Sequence, residues 1–403
     1  MKKLQQQFQV AYNFPVIFTR DVFNLANSAL VEVLQAGDQK RCRVLVVIDS
    51  SVLQANPGLP EKIEKYGSAH SAVLELINSP FIIRGGEICK KEPLEVEKIQ
   101  ALVDKHHLCR HSFILAIGGG AVLDAAGYAA ATAHRGIRFI RMPTTTLSQN
   151  DSGVGVKTSI NAFGRKNFIG TFTPPYAVIN DFDFLETLPE RDKRSGIAEA
   201  VKVALIKDRA FFDLLYKERK RLAAFAPEIM EKMIIRCAEL HMEHIGRSGD
   251  PFENGSSRPL DFGHWSAHKV EEITGGEVQH GEAVASGVAL DSLYSYKKGL
   301  ISEIELNRIF VALEDIGFEL YHWALSWIDI DRALREFQEH LGGELTITLL
   351  KSIGEKIDVH DVDTGLLRQC IDLLRERKKG KESRNGPREM PEIGTGKLRV
   401  VLP

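Results

Sequence analysis

Three residues set far apart in the chain are of the types from which a catalytic metal centre draws its donors: Glu199, His264 and His280. They stand in Gly196-Ile197-Ala198-Glu199-Ala200-Val201-Lys202, in Asp261-Phe262-Gly263-His264-Trp265-Ser266-Ala267-His268, and in His280-Gly281-Glu282-Ala283. One carboxylate and two imidazoles are what a zinc-type ion takes from a protein while leaving positions open for substrate. Singly they say less. Glu199 also reads as a helix-surface carboxylate. His264 and His268, four apart and so on one helical face, also read as two core histidines. Upstream, Ile117-Gly118-Gly119-Gly120-Ala121-Val122-Leu123-Asp124 sets a glycine turn after an apolar run. Backbone N–H groups of such a turn, and the helix N-terminus behind it, suit a dinucleotide pyrophosphate. The run is not GxGxxG, so a tight turn is the plain alternative. A metal and a nicotinamide in one chain would suit alcohol chemistry on a polar substrate.

Weaker candidates surround these. Asp49 closes an apolar run, where it would hold a ribose hydroxyl or cap a turn. Glu87 and Lys90 follow Gly85-Gly86. Pro143-Thr144-Thr145-Thr146-Leu147-Ser148-Gln149-Asn150-Asp151-Ser152-Gly153-Val154-Gly155-Val156-Lys157 packs hydroxyls, amides, a carboxylate and an ammonium together, and Gly164-Arg165-Lys166-Asn167 follows. The run has neither helical nor strand periodicity, which predicts an irregular polar cradle for a substrate instead of a buried element. Its cations would meet phosphate, and its amides and hydroxyls would meet sugar oxygens.

These groups need a scaffold, and the pattern supplies one. Arg43–Asp49, His111–Ile117, Arg138–Pro143 and Tyr176–Asp181 read as buried strands, with helical periodicity over Pro93–Cys109 and Ala121–Ala133. Strand, helix, strand in series predicts a parallel α/β sheet. After Leu188-Pro189 the texture turns to long apolar-periodic stretches: Ile197–Ile206, Ala210–Leu222, Pro227–His244, His264–Thr274 and Glu282–Lys298. The expectation is an α/β nucleotide-binding domain over 1–188 and a mostly helical metal- and substrate-binding domain over 189–403. Arg375–Arg388 reads as a basic exposed loop, and Leu398–Leu402 as a terminal strand. At 403 residues, 44% apolar, 26% charged and a net charge of −2, the composition is that of a soluble globular protein. That balance gives no whole-chain attraction to nucleic acid or to an anionic membrane. Five scattered cysteines without a CxxC pair, and no apolar run near the roughly 20 residues of a span, predict a reduced, cytoplasmic protein.

Taken in order, the motifs resemble those of the 3-dehydroquinate synthase family, the sugar-phosphate cyclases, over about residues 40 to 300. They are the glycine turn with Asp124, Arg135-Gly136-Ile137, the Pro143–Lys157 run, Lys166-Asn167, Leu188-Pro189, Glu199 with Lys202, the two histidines His264 and His268, and His280-Gly281-Glu282-Ala283-Val284. The overall form is most similar to the EboD-type branch. The resemblance implies zinc, or cobalt in its place, on Glu199, His264 and His280. It implies NAD along Asp49, Glu87, Lys90, Gly119, Gly120, Asp124, Thr144, Thr145, Leu147 and Thr187, with Lys166 between cofactor and substrate. Asp151, Lys157, Asn167 and Lys202 would meet a small sugar phosphate, and His268 the departing phosphate. Glu253 matches a family DxxE element. Arg135 would reach the phosphate across a homodimer interface. The implied reaction oxidises a hydroxyl transiently, eliminates phosphate from the acidified carbon, restores the hydride, and closes a carbocycle by an internal aldol step.

The chain departs from the synthase pattern at the end of the substrate opposite the phosphate. Asp261 replaces an asparagine, His241 a lysine, Ser257 an arginine (Arg258 is one place off), and Val156 a glycine. Fewer cations there would leave a substrate carboxylate facing Asp261 unless one group took a proton. The expected substrate therefore lacks that carboxylate, as sedoheptulose 7-phosphate does. Asp261 resembles the valiolone-forming cyclases, which usually lack the second histidine that His268 retains. The alternatives are the dehydroquinate synthase reaction itself and a metal-dependent polyol dehydrogenase. The latter would release NADH stoichiometrically. A non-catalytic partner protein is disfavoured by the intact motifs.

Overall fold

The structure is a computed structural model that describes residues 1–37, 39–247, 252, 260–341 and 343–385. Glu253, Ser257, Arg258 and the terminal stretch Leu398–Leu402 lie outside the described residues. Among the described residues the first half holds β1 (Val16–Thr19), β2 (Cys42–Asp49), β3 (Leu74–Leu76), β4 (Phe81–Ile83), β5 (Phe113–Gly118), β6 (Arg138–Pro143), β7 (Lys157–Ala162), β8 (Arg165–Phe172) and β9 (Ala177–Asp181). Seven of them form one sheet in the order β1-β9-β6-β5-β2-β3, with β4 also on β2, and every pairing is parallel. Parallel strands of this kind are buried on both faces and so read as unbroken apolar runs. Val44, Val46 and Ile48 pack on one face with helices Ala29–Gln35 and Leu59–Ala69. Leu45 and Val47 pack on the other with helices Leu94–Lys105 and Gly120–Thr132.

The chain leaves β2 toward β3 and β4, then crosses to β5 on the other side. That reversal opens a crevice at the carboxyl ends of β2 and β5, the usual ligand position of an open α/β sheet. Asp49 and the glycine turn stand there.

The second half is helical, with helices Glu190–Lys207, Arg209–Ala223, Pro227–Arg247, His264–Ile273, His280–Lys297 and Glu303–Ile316 around one apolar core. A hairpin of β10 (Ile347–Ser352) and β11 (Glu355–Val359) packs its Leu349 and Leu350 into that core. No helix among the described residues is long and apolar enough to cross a membrane.

Two expectations are corrected. The 143–167 run is not irregular throughout. Ser148–Ser152 winds into one π-type turn, and Lys157–Phe172 forms the antiparallel β7–β8 hairpin. Ser148, Gln149 and Asn150 are fully buried, and their side chains serve backbone groups. Gln149 Nε2 donates to the carbonyls of Pro143 and Asp181, and Asn150 Nδ2 to that of Gly196. The second correction concerns the basic stretch from Arg375. It continues the helix Thr364–Asn385, because Arg377 and Lys381 pair with Glu314 at 2.9 and 2.6 Å and Lys378 pairs with Glu319 at 2.6 Å.

Candidate functional site

Close helix approach brings Glu199, His264 and His280 together as a candidate metal cluster. Helix His280–Lys297 meets helix Glu190–Lys207 at Gly281, where an added Cβ would lie 2.4 Å from the Ser195 carbonyl oxygen. His280 is thereby set against Glu199. The turn before His264 passes Gly263 at φ +77°, and a Cβ there would lie 2.7 Å from the Val288 nitrogen. Buried Asp291 fastens this turn by accepting from Gly263 N–H at 2.9 Å and Trp265 Nε1–H at 3.0 Å. Its burial pushes its pKa up to about 7.

Glu199 Oε1 lies 3.5 Å from His264 Nε2 and 3.2 Å from His280 Nε2. A tetrahedral ion with bonds of roughly 2.0–2.1 Å holds its ligand atoms roughly 3.3–3.4 Å apart, so the three donors fit one. The remaining ring nitrogens face other partners, His264 Nδ1 the Phe262 carbonyl at 3.2 Å and His280 Nδ1 Glu271 Oε2 at 3.3 Å. Burial opposes charge on Glu199, but Lys202, His264 and His280 hold its pKa well below the usual range. Burial also opposes a charged His280, yet Glu199 and Glu271 push its pKa up to about 10. The same field attracts a metal cation. Lys202 Nζ is 2.5 Å from Glu199 Oε2. The His268 ring sits 5.4 Å from that of His264 and stacks 6.2 Å from that of His280.

Next to the metal cluster, Asp151 Oδ1 lies 3.0 Å from His241 Nδ1. Burial would raise the Asp151 pKa, but His241 and Lys202 together bring it below the usual range. Lys157 opens β7 into the same cleft, where desolvation lowers its pKa against Asp261, Asp151 and Asp124, in that order. Three carboxylates therefore attend the ammonium that the family resemblance assigns to substrate.

On the sheet side, Asp49 caps helix Ser50–Ala55 through Ser51 N–H at 2.8 Å. Gly119 and Gly120 open helix Gly120–Thr132, and no side chain caps its first turn. A helix N-terminus at the switch-point crevice suits a pyrophosphate. Thr144 N–H donates to Gly118 at 3.1 Å, and the Thr145 and Ser148 hydroxyls meet at 2.8 Å. Leu147 leads into the π-type turn, against Gly196. Lys90 is buried 2.5 Å from Asp124 Oδ2 and also donates to Asn167 Oδ1. Glu87 accepts from Asn161 at 3.2 Å. Thr187 accepts from Asn56 at 3.2 Å, on the wall of a surface cavity of about 380 Å³. Lys166 turns to Glu271 Oε1 at 3.1 Å. Arg135 is exposed in the turn Ala133–Arg135 and pairs with none of the other described site residues.

Known proteins resemble this chain over most of its length. Residues 80–195 match the 3-dehydroquinate synthase N-terminal family and residues 196–339 its C-terminal family. A 3-dehydroquinate synthase of Acidithiobacillus ferrooxidans is 37% identical over 337 residues, 83% of this chain and 89% of that one. The chain belongs to the 3-dehydroquinate synthase family. It is an enzyme of the cyclase class. Among solved structures, the 2-epi-5-epi-valiolone synthase ValA of Streptomyces hygroscopicus subsp. jinggangensis, with NAD+ and Zn2+ bound, is 29% identical at a TM-score of 0.82. The match covers 93% of this chain and all of ValA. A 2-deoxy-scyllo-inosose synthase is 25% identical at a TM-score of 0.69, over 89% of this chain and 96% of that one.

Several residues that shape this family member's site were not singled out from sequence. Fully buried Arg141, on β6, donates to the carbonyls of Ser152, Gly153, Gly155 and Lys157 at 3.4, 3.2, 2.7 and 2.8 Å. It thus fixes the loop between Asp151 and Lys157. A charged residue inside an apolar strand run was the available signal. Arg141→Met is expected to lower kcat/KM at least about tenfold, since charged hydrogen bonds worth ~1.5–3 kcal/mol each hold the loop. Phosphate-release kinetics beside a thermal melt would check it, and an unchanged kcat/KM would refute it.

His244, one helical turn beyond His241, is buried. That burial, with Lys207, His241 and Lys157, pushes its pKa down to about 4. The unfolded chain takes up a proton near pH 6.5 and the folded one only near 4. This stabilising contribution is thus complete above about pH 6.5 and fades as pH falls toward 4. His244→Gln should narrow the loss of stability between pH 7.5 and pH 5, read as urea midpoints. A loss equal to that of the wild type would contradict the assignment.

Proposed function

We propose that this protein is an NAD- and metal-dependent sugar-phosphate cyclase acting on a seven-carbon sugar phosphate without a carboxylate, such as sedoheptulose 7-phosphate. The observation that carries the substrate class is the set of anions around Asp261 and His241. Asp261 and Asp151 both bear on Lys157, and His241 stands where the synthases have lysine and is itself engaged with Asp151. A substrate carboxylate would meet these anions with no counterpart of the synthases' lysine among the described residues, whereas sugar hydroxyls bond to carboxylate and imidazole alike.

Glu199, His264 and His280 would hold zinc, and Asp49, Gly119, Gly120 and the neighbouring threonines would line the dinucleotide. When bound, the metal acidifies a hydroxyl and the nicotinamide takes up and returns a hydride. The chain's own groups do the rest. Lys202 keeps Glu199 ionised. Asp151 and His241 form a pair able to orient a hydroxyl and exchange its proton. Lys157 offers charge to the leaving phosphate, with His268 at the mouth of the cluster as its proton partner. We place the domain boundary at residues 188 and 189, where Pro189 precedes helix Glu190–Lys207. A homodimer would let exposed Arg135 serve a neighbouring site.

Identity to dehydroquinate synthases and the retained His268 favour one second reading, the dehydroquinate synthase reaction. Phosphate release by the purified protein with NAD and zinc separates the two. Release from sedoheptulose 7-phosphate alone supports the proposal. Release only from 3-deoxy-arabino-heptulosonate 7-phosphate replaces it with the second reading. Stoichiometric NADH without phosphate would make it a dehydrogenase.

A further inference from the structure

Two triplets of ligand-type side chains overlap at one imidazole. Glu199, His264 and His280 form the first, and His268, Glu271 and His280 the second. His280 belongs to both because its nitrogens face opposite ways, Nε2 toward Glu199 at 3.2 Å and Nδ1 toward Glu271 at 3.3 Å. Building on the metal reading of the first triplet, we infer that Glu271 is a positioning residue of the metal centre and that Lys166, from the β7–β8 hairpin, holds it in place.

Glu271 lies on helix His264–Ile273, seven residues after His264, with its side chain only 10% exposed. Its two oxygens are divided between two partners. Oε2 accepts from His280 Nδ1–H, and Oε1 takes the Lys166 ammonium at 3.1 Å. A proton fixed on Nδ1 leaves the Nε2 lone pair for the ion, and an ionised acceptor raises the ring's basicity. The ring plane is fixed as well, because the carboxylate and Glu199 grip it from opposite edges.

The competing reading makes the second triplet a cation site of its own. It fails on two counts. His280 would have to lose both ring protons to serve two ions. The Lys166 ammonium already occupies the Glu271 oxygen on the far side, where a second cation would be repelled. Lys166 thus ties the hairpin of the α/β half to a ligand carried by the helical half.

The test uses the full-length protein, stripped of metal and titrated with Zn2+ against a chromophoric chelator, and with Co2+ for its visible ligand-field bands. Glu271→Gln is expected to weaken zinc binding by roughly 10–100-fold and to alter the Co2+ bands, with one ion per chain throughout. Lys166→Met should weaken binding less, and should add nothing in the Glu271→Gln background. Melts of the metal-free proteins separate a general loss of fold from an effect on the ion. Zinc affinity within twofold of wild type and an unchanged Co2+ spectrum in Glu271→Gln would overturn the inference. Two ions per wild-type chain falling to one in Glu271→Gln would overturn it too, by making Glu271 a ligand. An additive Lys166→Met effect would remove Lys166 from the relay. No zinc uptake by the wild type, or full uptake by His264→Ala, would instead sink the metal reading itself.

Discussion

Alanine at position 264 is expected to bring phosphate release down at least about a thousandfold, with the fold intact. A Lewis-acidic ion contributes several kcal/mol of charge stabilisation, and ~4 kcal/mol corresponds to about three powers of ten in rate. His264 is the informative candidate ligand to remove because its loss leaves the Glu199–Lys202 pair in place. Removing Glu199 would be less clean. Lys202 is 3% exposed, and breaking a buried ion pair costs about 3–5 kcal/mol whether or not a metal is involved. Glu199→Gln should therefore lose both activity and stability, whereas His264→Ala should lose activity and zinc content while the metal-free melting temperature stays near that of the wild type. Zinc analysis, a melt and phosphate-release kinetics on the two variants settle it. Activity within tenfold of wild type in His264→Ala would take this histidine out of the metal centre.

Where periodicity reports burial directly, the fold was legible. Arg43–Asp49 and Arg138–Pro143 differ from the observed strands by one residue or none, since strands covered on both faces show as continuous apolar runs. β8 left no such trace. It is exposed along nearly its whole length, so neither alternation nor an apolar run marks it, and its pairing with β7 defines it. The helix through Arg375 was hidden for a related reason: its basic face is balanced by Glu314 and Glu319, which lie far away in sequence. The site divides the same way. Glu199, His264 and His280 stand in glycine-marked motifs because helices must approach closely there, and composition records that need. Arg141, Glu271 and Asp291 act through contacts with distant backbone or side chains, and no local motif names those partners. Glu271 was the most accessible of the three, since spacings of four and seven from His264 put His268 and Glu271 on one helix face.

The pair His241→Lys and Asp261→Asn should turn the enzyme toward a carboxylate-bearing substrate. The first change adds a cation and the second removes an anion, both among the groups around Asp151 and Lys157. Unit charges about 4 Å apart interact by ~4 kcal/mol at an effective dielectric of 20. Even with two thirds of one such interaction realised, the ratio of kcat/KM for 3-deoxy-arabino-heptulosonate 7-phosphate over that for sedoheptulose 7-phosphate should rise at least about a hundredfold. The two changes should not act independently, because Asp151 faces His241 and both carboxylates bear on Lys157. With Asp261 in place both carboxylates offset a lysine at 241, and with it gone only Asp151 does, so the double variant should exceed the product of the single ones. Lys157 supplies an internal control. Asp261 is the largest of the influences raising its pKa against desolvation. Asp261→Asn should therefore lower that pKa, and the alkaline limb of the rate profile should move to lower pH. Competition assays and pH profiles on the single and double variants read both effects. A selectivity ratio that moves less than threefold would show that carboxylate exclusion does not reside in these residues.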